Sequence, residues 1–106
     1  MRMDNSLNAE FVEKSESIIR QLGFKDLKSF LKNQTLLILM ARMEKFEAEN
    51  NRFEGKYGSK FSRFQERIKG KEFQEDFVEE DDYLDWRFAK EELERLRRQA
   101  RELEYA

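Results

Sequence analysis

Six apolar residues in succession, Leu36-Leu37-Ile38-Leu39-Met40-Ala41, sit in a chain of 106 residues of which 42% are charged. Wound into a helix, such a run is apolar on every side and needs neighbours on at least two of them to leave water. It falls far short of the roughly 20 apolar residues that a bilayer demands, and Arg42, Glu44 and Lys45 follow at once. A buried strand is the competing reading of any short apolar run. Helix is favoured because the flanks continue at steps of three, four and seven: Leu27, Phe30 and Leu31 before the run, Met43, Phe46 and Phe53 after it. The run therefore reads as the seam of an oligomer or the centre of a very small core.

The absence of proline and the presence of four glycines favour long helices broken at a few points, and ten Phe, three Tyr and one Trp supply apolar anchors. An all-α, single-domain protein follows, with little surface to bury on folding. With no cysteine and no histidine, the chain lacks disulfides, a thiol nucleophile, a Cys/His zinc site and the commonest general base. Clustered acids such as Glu79 to Asp82 could hold a hard cation, but no Gly-rich phosphate loop or positioned nucleophile accompanies them. No enzyme, no metal and no cofactor is the expectation. Met1 to Leu7 shows no apolar h-region, so cytoplasmic residence without membrane association is expected.

Taken in order, Asn8 caps a helix from Ala9 to about Leu22, with Phe11, Ser15, Ile18, Ile19 and Leu22 as its inward stripe and Gly23 as its left-handed stop. Asp26 caps a second, long helix from Leu27, whose broad stripe takes in Leu27, Phe30, Leu31, Gln34, Leu37, Ile38, Ala41, Phe46 and Phe53. Gly55-Lys56-Tyr57-Gly58 reads as a turn. Ser59 then caps a short helix over Lys60 to Lys69, ending at Gly70. Asp82 is expected to cap the last helix, along which Trp86, Ala89, Leu93, Leu96, Ala100 and Leu103 recur in a coiled-coil-like seam.

Charge is unevenly placed. Residues 55 to 71 carry six bases and one acid, whereas residues 72 to 85 carry eight acids and no base. Mutual repulsion leaves Glu72 to Asp85 extended or loosely turned unless something positive covers it. The basic helix, with Lys60, Arg63, Arg67 and Lys69 on its polar face, is the obvious cover. Two readings of the acidic stretch stay open: it meets a basic partner, or Phe73, Phe77 and Trp86 close the protein's own core while the acids lie over that basic face.

Phe11 through Leu37, with its Leu22-Gly23-Phe24 corner, resembles the two helices of ribbon-helix-helix proteins, many of which are antitoxins. The resemblance implies a homodimer along Leu27, Phe30, Leu31, Leu36, Leu37, Ile38, Leu39, Met40 and Ala41, behind an N-terminal strand that would reach DNA. On that strand, Met1 to Leu7, Arg2 is the first candidate for a DNA contact and Asn5 the second. Phe53 to Trp86, with its Lys56-Tyr57-Gly58 corner and its acid-rich stretch ending at tryptophan, looks like a group of small archaeal and bacterial proteins regarded as antitoxins. That likeness implies a small basic toxin protein as partner, bound by Phe73, Phe77, Glu79, Glu80, Asp81, Asp82, Tyr83, Asp85 and Trp86. The expectation is therefore an antitoxin with a dimerisation region over 1–54 and a helical partner-binding extension over 55–106. A non-catalytic helical scaffold or adaptor without a nucleic-acid role is the alternative.

Overall fold

A computed structural model of the protein describes residues 8–70 and 77–106, and every described element is a helix. In chain order these are α1 (Ala9–Gln21), α2 (Leu27–Tyr57), α3 (Phe61–Gly70) and α4 (Phe77–Glu104). The all-α expectation holds. No strand occurs among the described residues, whereas the ribbon-helix-helix arrangement needs one. The segment expected to supply it, with Arg2 and Asn5, lies outside them.

The chain divides into two compact units, 1–37 and 38–106, so the second half of α2 belongs with α3 and α4. In the first unit the caps are as the sequence indicates. The Asn8 side chain accepts from the backbone N–H of Glu10 at 2.8 Å and of Phe11 at 3.3 Å. At the other end Gly23 takes φ +100°, the Gly23 N–H donates to the Arg20 carbonyl and the Phe24 N–H to the Ile19 carbonyl. This paired bonding satisfies carbonyls that α1 would otherwise leave open. Phe24 meets Phe30 edge to face at 5.2 Å, and Asp26 caps α2 by accepting from the Ser29 N–H at 2.8 Å.

The inward stripe expected for α1 is rotated. Ile19 is buried and Val12, Ser15 and Glu16 are half-buried, while Phe11, Ile18 and Leu22 lie exposed. So small a unit covers only a narrow strip of a helix, and the other apolar residues remain outside it.

In the second unit α2 and α4 run antiparallel. Phe46 meets Phe88 at 5.9 Å, Phe53 stacks on Trp86 at 5.5 Å, and Arg97 reaches Glu47 at 3.3 Å. The seam expected for α4 is present: Trp86, Ala89, Leu93 and Leu96 are buried, Ala100 and Leu103 half-buried. Its counterpart on α2 is Leu39, Met43, Phe46, Asn50, Phe53 and Tyr57, again at alternating steps of four and three. The sequence stripe had put Ile38 and Ala41 inward instead. A run that is apolar on every side carries no phase, so the antiparallel partner selects which of its residues turn in.

Two boundaries move. Gly55 does not interrupt α2, which continues to Tyr57 and stops at Gly58 with φ +63°. The acidic stretch is helical from Phe77 onward, so Asp82 lies inside α4 rather than capping it. Bases on neighbouring helices, Arg67 at 3.1 Å from Glu79 and Lys56 at 2.6 Å from Asp82, remove the repulsion that would have kept it open. Glu79 and Glu80 also occupy its first turn, where the helix dipole favours acids.

Candidate partner-binding site

The sequence gathers its candidate partner-binding residues between Phe73 and Trp86, and the helical turn of α4 separates them into two faces. Phe73 lies outside the described residues. On the inward face, Trp86 is fully buried with Phe53 of α2 and Phe64 of α3. Phe61 meets it edge to face at 5.3 Å, and its indole N–H donates to Asn50 Oδ1 at 2.9 Å. One aromatic from each of three helices thus makes the centre of this unit, and Asn50 satisfies the polar atom that burying tryptophan brings along.

Polar contacts tie the same face down. Lys56 Nζ and the Tyr57 hydroxyl both donate to Asp82 Oδ2. Burial pushes the Asp82 carboxyl up, but these hydrogen bonds and the Lys56 and Arg52 charges outweigh it and hold it below the usual carboxylate range. Tyr83 stacks on Phe61 at 5.8 Å and accepts from Gln65 Nε2 at 3.0 Å, a bond that draws its hydroxyl below the ordinary tyrosine value. Glu79, Asp82, Tyr83 and Trp86 are therefore engaged within the protein.

The outward face is different. Phe77 is 68% exposed, Leu84 49% and Phe88 57%, while Glu80, Asp81 and Asp85 are exposed and enter no ion pair among the described residues. Beside Phe88 opens a groove of about 380 Å³ lined by Lys45, Phe46, Glu49, Asp85, Phe88 and Ala89. Sequence reasoning missed Leu84 and Phe88. Their signal was the spacing Phe77, Leu84, Phe88, visible only once the helix is started at Phe77 rather than at Asp82.

The residues expected to join two chains lie along α2. Leu27, Phe30, Leu36 and Leu39 are half-buried, whereas Leu31, Leu37, Ile38, Met40 and Ala41 are exposed. No group of acids positioned to hold a metal ion occurs among the described residues, and no helix among them is long and apolar enough to cross a membrane.

The two resemblances dissolve in this geometry. Leu22-Gly23-Phe24 is a helix stop built on a left-handed glycine, which any helix pair can use. Lys56-Tyr57-Gly58 is a second such stop, and the tryptophan that closes the acidic stretch is a core residue. Both likenesses rested on capping and core chemistry rather than on anything particular to antitoxins. No protein-family model, no curated protein and no solved structure matches the chain. With no strand among the described residues and no family match, the assignment to ribbon-helix-helix antitoxins is withdrawn.

Proposed function

We propose that this protein is a non-catalytic helical adaptor that works as a homodimer joined through its N-terminal unit. One observation carries the reading. Among the described residues of that unit Ile19 is the buried side chain, while Phe11, Ile18, Leu22, Leu31 and Leu37 are between 52% and 66% exposed. A helical unit of fewer than about 40 residues seldom buries enough surface to hold its fold unaided. A second copy offers the same apolar residues, and two such pairs of helices can bury one another in the manner of a bundle. Beyond Leu37, Ile38 and Met40 continue the exposed apolar surface of α2. The lack of histidine and cysteine fits a role in binding rather than in catalysis.

Sedimentation equilibrium of the full chain tests this. A species of twice the 13.0 kDa chain mass is expected, and Ile18→Asp or Leu37→Asp should return it to the single-chain mass. Both side chains are already more than half exposed, so the acid creates no buried charge within the chain. A wild-type protein that sediments as one chain throughout the micromolar range would overturn the proposal.

A further inference from the structure

We infer that the outward face of the first three turns of α4 receives a basic amphipathic helix from a partner protein; the inference supplies the partner class for the adaptor reading and rests on it. Phe77, Leu84 and Phe88 stand at steps of seven and four, which puts them on one ridge roughly 16 Å long at the helical rise. Asp81 lies on the same ridge, with Glu80 and Asp85 on its two flanks. The ridge lies away from the Trp86, Ala89 and Leu93 seam, so the packing that builds the core leaves Phe77 and Leu84 exposed, while Phe88 at its far end meets Phe46 of α2 at 5.9 Å. Lys56 and Arg67, by engaging Asp82 and Glu79, tie the opposite side of this helix to α2 and α3.

Charge selects the occupant. Of the acids on this face, Asp85 stands in the field of Arg52 on α2, whereas Glu80 and Asp81 enter no ion pair among the described residues; Arg87, the one base between Phe77 and Phe88, turns to Glu91 at 3.8 Å. A two-fold contact of the face with itself would bring the acids of one copy up against those of the other, so a second chain meeting it through the same residues is disfavoured. Phosphate backbones and anionic lipid surfaces are repelled for the same reason. A helix with apolar residues at i, i+3 or i+4 and i+7, flanked by Lys or Arg, satisfies both the ridge and its acids. The groove beside Phe88, walled by Phe46 and Ala89 with Lys45, Glu49 and Asp85 at its rim, offers a seat for one apolar anchoring side chain at the end of the ridge.

The probe is a fluorescein-labelled synthetic helix with leucines at that spacing and lysines on either side, compared with the same peptide bearing glutamate at every lysine. Anisotropy titrations with the full chain should give micromolar binding to the basic peptide and none to the acidic one, and added salt should weaken the former. Leu84→Asp and Phe88→Asp, both at exposed positions, should each weaken binding about tenfold or more, and Asp81→Lys likewise. Amide shifts on titration should fall on residues 77–88. Equal binding of the acidic peptide, unchanged binding by Leu84→Asp and Phe88→Asp, or shifts elsewhere would overturn the inference. So would a loss of oligomer mass in Leu84→Asp, which would make the ridge a contact between copies. A single-chain mass with peptide binding intact would sink the dimer and spare this site.

Discussion

Asp82 shows how one side chain changes role between sequence and fold. As a letter it is an acid before a helix; in the molecule it accepts from Lys56 and Tyr57 across two helices and stays ionised below the usual aspartate range. A carboxyl whose folded value is depressed stabilises the fold above its ordinary value of 3.8, and that contribution disappears as the pH falls through the folded value. Asp82→Asn should therefore be less stable than wild type at about pH 7, and the difference should shrink at about pH 3. Urea unfolding at the two pH values measures it, and a gap that is constant or widens with acid would refute the assignment. Trp86 is the converse case. As a letter it suits an exposed anchor, and only the placement of Phe53, Phe64 and Asn50 around it makes it a core residue.

At the scale of the element, glycine is informative only together with its backbone angle. Gly55 and Gly58 look alike as turn formers, yet Gly55 is an interior helical residue with open space where a Cβ would stand, and Gly58 is a stop at φ +63°. Gly55→Ala should raise stability by about 0.5–1 kcal/mol through the lower entropy of the unfolded chain, and Gly58→Ala should lower it by about 1 kcal/mol. Thermal unfolding of the two variants decides, since a turn spanning both glycines predicts loss from each. The helices themselves were legible. Asn8, Gly23 and Asp26 mark their own boundaries by local bonding, and the α4 seam shows its seven-residue repeat without help. The start of α4 was not legible, because it depends on Lys56 and Arg67 arriving from other helices to neutralise Glu79 and Asp82.

For the whole molecule, the two units differ in how much each buries. Among the described residues the second contains Phe53, Phe64, Trp86, Ala89, Leu93 and Leu96 as buried side chains, the first Ile19. If the first unit is completed by a second copy, hydrogen exchange in Leu37→Asp should show α1 amides losing most of their protection while those around Phe53, Phe64 and Trp86 keep theirs. Retained protection of α1 in a single-chain variant would show that the unit needs no mate. By itself the sequence determined that the protein is helical, where α1 and α2 begin, and that α4 has a coiled-coil seam, because capping and periodicity are properties of neighbouring residues. Tertiary structure alone decided which side of the apolar run faces inward, which acids are neutralised and which aromatics are buried. Those outcomes depend on residues 12 to 50 positions apart along the chain, such as Arg67 with Glu79, Asn50 with Trp86 and Glu47 with Arg97, and no local pattern records the distance between them.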